Sequence, residues 1–187
     1  MMRAETAQNA ARAESLLKDI REELRACMQC GTCSASCPNS HAMDLTPRRM
    51  WRMILCGLED EVLASNTFYL CSSCYSCTLR CPRGLPLTSA MAALKRLAQL
   101  RSAPGAAAHT AFYRAFVDNI RRHGRVREAD LMARYLLAAK NPGLAMRFAP
   151  LGLRMLGKGK VHPLGGQHVD CDLSALFDAA REREGLP

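Results

Sequence analysis

The sequence predicts an all-α protein: a helical core carrying two cysteine-rich loops, followed by a helical extension. Three observations lead there. Only 5% of the 187 residues are aromatic while 49% are apolar, which suits helices packed on Ala, Leu and Met better than an aromatic-rich sandwich. Apolar residues recur at three- and four-residue spacing through most of the chain. The stretch 38–70, between the loops, holds a capped helix and no convincing alternating strand.

The elements follow in chain order. Glu14 to Ala26 places Leu16, Leu17, Ile20 and Leu24 on one face, an amphipathic helix leading into the first loop. Thr46-Pro47 reads as an N-cap followed by proline at the first helical position. Met50, Trp51, Ile54 and Leu55 then form a stripe, and Gly57 is the expected stop. Pro86 is read as the start of another helix, with Leu87, Ala90, Met91, Leu94 and Leu97 on its inner face. Pro104-Gly105 punctuates a boundary, so the expected domains are a core over 14–101 and an extension over 102–187.

In the extension, Phe112, Phe116 and Ile120 recur every four residues and Gly124 ends their helix. Leu131, Met132, Tyr135 and Leu136 mark a second helix, closed by Asn141-Pro142-Gly143. A broken stretch is expected next, with Pro150 between short helical turns. Its dense apolar residues, Met146, Phe148, Leu151, Leu153, Met155 and Leu156, read first as core packing and second as the docking face for another subunit. Val161 to Asp170 is expected to be extended, and Leu173, Leu176, Phe177 and Ala180 mark a final short helix with Asp172 as its cap.

Eight of the ten cysteines repeat one pattern. Cys27-Met-Gln-Cys30-Gly-Thr-Cys33-Ser-Ala-Ser-Cys37-Pro38 returns as Cys71-Ser-Ser-Cys74-Tyr-Ser-Cys77-Thr-Leu-Arg-Cys81-Pro82, offset by 44 residues at every cysteine. Three cysteines two residues apart can wrap three irons of a cubane from one short loop. The fourth, before proline, ligates the other cluster in two-cluster ferredoxins. The expected cofactors are therefore two [4Fe-4S] clusters, one on Cys27, Cys30, Cys33 and Cys81, the other on Cys71, Cys74, Cys77 and Cys37. Zinc usually takes two separated Cys pairs and fits this run poorly. Disulfides are expected even less, because the N-terminus lacks the apolar block of a secretory signal. The expected location is the cytoplasm, where thiols stay reduced.

Eight thiolates for two cubanes leave no iron open to substrate, which points to electron transfer by a non-catalytic subunit. No G-x-G-x-x-G follows a strand, and Gly152-Leu-Arg-Met-Leu-Gly157-Lys158-Gly159 lacks the Ser/Thr of a P-loop. Cys56 is expected as a small core residue. Cys171 is expected to be unreactive between Asp170 and Asp172. His41, His109, His123, His162 and His168 form no ligand pattern, although His41 follows the first motif and could tune a cluster by hydrogen bonding. Gly31, Ser34, Ser36, Ser72, Ser73 and Ser76 are small enough for backbone N–H groups to approach the sulfides.

Charge is uneven. The chain carries +9 overall, with +3 over 1–100, +9 over 101–160 and −3 over 161–187. The basic segment suits a solvated helical face or an anionic partner. Aromatics do not interleave with it as a single-strand binder requires, so nucleic acid is not expected. No run of 18 apolar residues exists, so no membrane insertion is expected.

The paired motifs, the helical spacer, the basic helical tail, Gly124-Arg-Val-Arg-Glu-Ala-Asp130 and Gly157-Lys-Gly-Lys160 together resemble the C-type iron–sulfur subunit of heterodisulfide reductase and its bacterial relatives. The cysteine motifs also occur in succinate dehydrogenase-like and glycolate oxidase-like iron–sulfur proteins. The resemblance implies an alpha-helical ferredoxin core with two [4Fe-4S] clusters on the eight named cysteines. It implies a hetero-oligomer in which electrons pass between an A-type flavoprotein and a B-type catalytic partner that carries out disulfide chemistry. The alternatives are the iron–sulfur subunit of a membrane-associated dehydrogenase, with its anchor on another chain, and an iron–sulfur regulator that binds nucleic acid through residues 101–160.

Overall fold

In the computed structural model, which describes residues 2–139, 142–160 and 173–184, every regular element is a helix and the described residues contain no strand. The chain divides into two compact units, Met1–Ala107 and Ala108–Pro187.

The first unit is built on α1 (Met2–Leu24), α3 (Pro47–Leu55) and α6 (Leu87–Leu100), with α4 (Glu59–Leu63) and two single-turn helices, α2 (Thr32–Ala35) and α5 (Ser76–Leu79), between them. Helix α1 starts a dozen residues before the predicted Glu14 and buries Ala13, Leu17, Ile20 and Leu24, with Leu16 at the edge of the core. Helix α3 has Pro47 in its first turn. The Thr46 side chain makes no capping hydrogen bond; its carbonyl instead accepts from Met50 N at 2.9 Å. Met50, Trp51 and Ile54 are fully buried. Gly57, at φ 78°, takes the left-handed conformation that closes the helix.

Pro86 caps α6 rather than opening it, and Leu87, Ala90, Met91, Leu94 and Leu97 are all buried. Arg21 fastens α1 to the following elements, donating from Nε to the Ile54 carbonyl (3.3 Å) and pairing with Glu59 (2.6 Å). Arg101 spans Glu14 (2.7 Å) and Asp60 (3.1 Å). Thr67, fully buried, bonds both the N–H and the carbonyl of Leu45 (2.9 and 3.0 Å), which ties the inter-loop segment to the chain after the first loop.

Cys56 departs from expectation. It is exposed, because it caps α3 one residue beyond the buried stripe. Helix α4 adds to the elements predicted from sequence; its acidic first turn, Glu59, Asp60 and Glu61, suits a helix N-terminus.

The second unit contains α7 from residue 108 (Ala106–His123), α8 (Glu128–Ala139), α9 (Pro142–Gly157) and α10 (Ser174–Glu184). Gly124 turns the chain after α7 at φ 68°. Fully buried Asn119 clasps that turn. Its Oδ1 accepts from Arg127 N (2.8 Å), and its Nδ2 donates to the Arg127 carbonyl (3.2 Å) and to Asp130 Oδ2 (2.8 Å). Arg134 Nε also donates to Asp130, at 2.7 Å. The Gly124–Asp130 segment is thus an interhelical turn. Phe112 packs with Phe116 and, edge to face, with Tyr135 at 5.4 Å between centroids.

Two expectations for this unit are corrected. Helix α9 runs unbroken through Pro150; one amide bond is lost, but Leu, Met, Ala and Arg on both sides favour the helix. Its apolar residues do not form core, since Met146 is 77% and Leu153 69% exposed, and Phe148, Leu151, Met155 and Leu156 are exposed too. The expectations for Val161 to Asp170, His162, His168, Cys171 and Asp172 lie outside the described residues.

Candidate iron–sulfur site

Each cysteine loop leads into a single helical turn, the first after the long α1 and the second after the short α4. In the first, Cys27 follows α1, its N–H donating to the Leu24 carbonyl at 2.9 Å. Gln29 (φ 58°) and Gly31 (φ 86°) then turn the backbone left-handed, and Cys33 sits in α2. The second loop repeats this 44 residues on: Ser73 (φ 54°) and Tyr75 (φ 60°) take the left-handed places, and Cys77 sits in α5. Alternating left-handed residues are the pattern from which anion-binding backbone concavities are made. Tyr75 holds a conformation that costs a side-chain-bearing residue about 1–2 kcal/mol, where the first loop uses glycine.

Helices α2 and α5 pack together, and the loops thereby share their cysteines. One cavity is lined by Cys27, Cys30 and Cys33 of the first loop and Cys81 of the second. Another is lined by Cys71, Cys74 and Cys77 of the second loop and Cys37 of the first. Each encloses about 360 Å³ of empty space including the open mouth. Leu85 and Leu87 wall the first; Met43, Pro47 and Met91 wall the second.

The nine described cysteines are free thiols. Among the described residues, no three His, Cys, Asp or Glu side chains converge on a point where a single metal ion would sit. Four thiols around each cavity suit a soft multi-iron group. Gln29 Nε2 donates to Cys27 Sγ (3.4 Å), and Thr32 Oγ1 lies 3.4 Å from Cys30 Sγ. In the second loop the Cys74 thiol donates to Ser76 Oγ (3.5 Å), and Thr88 Oγ1 lies 3.7 Å from Cys77 Sγ.

These contacts split the thiols electrostatically. The Thr32 hydroxyl lowers the Cys30 pKa, with a smaller contribution from Arg48; the Ser76 hydroxyl lowers that of Cys74. Burial raises Cys33, which also feels Cys27 and Cys77, and raises Cys37, which feels Cys74, Cys71 and Cys77. The packing of α2 on α5 makes the two cavities neighbours.

Sequence reasoning misses several wall residues. Arg48 and Arg83 line the first cavity; Asn39, Tyr75 and Thr88 line the second. The signal for Arg48 lies in Pro47: a helix starting there puts its second residue beside the loop. His41 lies on an exposed 3-10 turn (Ser40–Ala42) and lines neither cavity. Ser34 bonds Cys33 and accepts from Arg48 N (2.8 Å), and Ser72, which lines the second cavity, bonds Cys74 and accepts from Asn39 Nδ2 (3.4 Å).

The 4Fe-4S dicluster domain family matches residues 23–85. Among curated relatives, the C-type iron–sulfur subunit of the CoB–CoM heterodisulfide reductase of Methanopyrus kandleri is 41% identical over 75 residues, 40% of this chain and 39% of that protein. The C-type subunit of the ferredoxin:CoB-CoM heterodisulfide reductase of Methanosarcina mazei is 40% identical over 89 residues, 46% of this chain and 55% of that protein. Its counterpart in a ferredoxin/F(420)H(2)-dependent CoB-CoM heterodisulfide reductase of Methanosarcina acetivorans is 42% identical over the same length and shares. The chain spans 39–55% of the length of these relatives. Residues 23–85 thus match a 4Fe-4S dicluster domain, and over 75–89 residues the chain is similar to the C-type iron–sulfur subunit of heterodisulfide reductases.

Proposed function

We propose that the chain is the electron-transfer subunit of a heterodisulfide reductase-like complex, holding one [4Fe-4S] cluster on Cys27, Cys30, Cys33 and Cys81 and the other on Cys71, Cys74, Cys77 and Cys37. The observation that carries this reading is the pair of cavities, each ringed by three thiols of one loop and one of the other. When bound, such clusters take up and release single electrons. The protein's part is to hold and insulate them. Leu85, Leu87, Met43 and Met91 exclude water from the inner walls. Gln29, Thr32, Ser76 and Thr88 orient the ligating sulfurs. The prolines after Cys37 and Cys81 have no N–H and stiffen the loop exits.

Each cavity has its own exposed edge, Met28 at the first and Tyr75 at the second. A donor and an acceptor would then approach at separate points. In this reading they are a flavoprotein and an enzyme that processes disulfides and thiols, and the extension after residue 101 docks one of them through α9. The complex works in the cytoplasm; among the described residues no helix is long and apolar enough to cross a membrane.

Anaerobic purification of the native complex through a tag on this chain tests the reading. The expected companions are a flavoprotein and a thiol-processing enzyme, with the flavoprotein able to reduce this chain's iron–sulfur absorption. Co-purification with a membrane-anchored dehydrogenase, or salt-sensitive DNA binding with no redox companion, would contradict it.

A further inference from the structure

The two halves are near copies, so the places where they differ can give the two sites different properties. Arg48 is the second residue of α3, and its N–H donates to Ser34 Oγ at 2.8 Å. Thr88 is the second residue of α6, and its N–H donates to Thr78 Oγ1 at 2.9 Å. Ser34 and Thr78 are themselves 44 residues apart. Arg48 and Thr88 therefore hold equivalent places beside the two loops, one a permanent cation and the other a neutral hydroxyl.

The surroundings reinforce the difference. Arg48 and Arg83 both line the first cavity, and the Arg48 side chain passes Gly31 so closely that a Cβ there would lie 3.5 Å from its Cδ. Cysteine apart, no residue lining the second cavity is ionised at neutral pH. The second loop has a cation of its own, Lys95, but its Nζ donates to the Cys71 carbonyl at 3.0 Å and it does not line the cavity. Polar contacts at the sulfurs do not break the tie, because Gln29, Thr32 and Ser34 on one side are matched by Ser72, Ser76 and Thr88 on the other.

Cluster potential depends on net charge, hydrogen bonds to the sulfurs and exposure. With the hydrogen bonds balanced, charge decides, since reduction adds one negative charge and nearby cations favour it. We infer that Arg48, supported by Arg83, makes the cluster on Cys27, Cys30, Cys33 and Cys81 the more readily reduced of the two, so that an electron entering the chain comes to rest there. This rests on the ligand sets proposed above. In the transfer one electron leaves the second cluster, which is oxidised by one, and enters the first, which is reduced by one; no bond or proton is exchanged.

The test is a potentiometric titration of the full chain, purified without oxygen and followed by EPR and visible absorption, with iron counted in every sample. The wild type should show two separated one-electron steps. Arg48→Gln should shift the reduction equilibrium of the upper step on the order of tenfold, about 59 mV downward for one electron, and leave the lower step in place. Arg83→Gln, at an exposed turn, should move the same step and serves if Arg48→Gln loses iron. Lys95→Met should lower the lower step only. With about eight irons bound, an unmoved upper step, a shift in the lower step on removing Arg48, or coincident wild-type steps would overturn the inference alone. An iron content well below eight in the wild type would overturn the ligand sets and the inference with them.

Discussion

Replacing Cys81 by alanine should empty the cavity of the other loop. Cys81 belongs to the second motif, yet it lines the cavity of Cys27, Cys30 and Cys33. Two four-iron clusters give about eight irons per chain, so loss of one leaves about four. That count alone does not say which cluster left, but pairs of substitutions do. Two residues acting on one cluster cannot remove it twice, so their effects are non-additive. Cys27→Ala with Cys81→Ala should therefore still leave about four irons, as either single variant does. Cys71→Ala with Cys81→Ala strikes both cavities and should leave almost none. Cys37→Ala should mirror this, additive with Cys27→Ala and non-additive with Cys71→Ala. Iron and inorganic sulfide would be measured on anaerobic preparations, with far-UV circular dichroism confirming that the helices persist. If Cys71→Ala with Cys81→Ala kept about four irons while Cys27→Ala with Cys81→Ala lost all eight, each loop would hold its own cluster and the exchange would be wrong.

Three further outcomes follow from the second unit. Asn119→Ala removes three hydrogen bonds at a fully buried site and strands the Arg127 N–H, while the Arg127 carbonyl keeps the Leu131 N–H; it should destabilise this unit by about 1–3 kcal/mol in urea unfolding, and a loss below about 0.5 kcal/mol would show that the clasp matters little. Asp130 has its pKa lowered chiefly by the Arg134 hydrogen bond, then by Asn119 and His123. Its contribution is present above the unfolded carboxylate value of about 4 and is lost as pH falls through the lower folded value, so wild type should lose more stability on acidification than Asp130→Asn; parallel pH profiles would count against this. Leu153→Glu alters an exposed side chain and should change the isolated chain's stability by less than about 0.5 kcal/mol. If α9 docks another protein of the complex, the same variant should abolish co-elution on gel filtration, and unchanged co-elution would remove α9 from the interface.

Local signals carry most of the first unit. The apolar faces of α3 and α6 are legible because burial follows helical periodicity there, and Pro47 and Gly57 mark the ends of α3. The expected exchange of Cys37 and Cys81 rests on both preceding proline at the far end of a repeated motif. What sequence hides depends on three-dimensional neighbours. Arg48 is an ordinary basic residue until the packing of α3 beside α2 brings it to the Gly31 turn. Cys56 follows an apolar stripe, but the helix ends there and the next rotation points outward. Pro150 is a strong local breaker overruled by helix-favouring residues on both sides. The apolar density of α9 reads as core because composition cannot tell a buried face from one left exposed.

The most direct measurement is the iron and acid-labile sulfide content of the wild-type chain prepared without oxygen. Two cubanes on eight thiolates predict about eight irons and about eight sulfides per chain, with the brown absorption of iron–sulfur charge transfer. A colourless protein carrying about two zinc ions and no sulfide would contradict the account at its root.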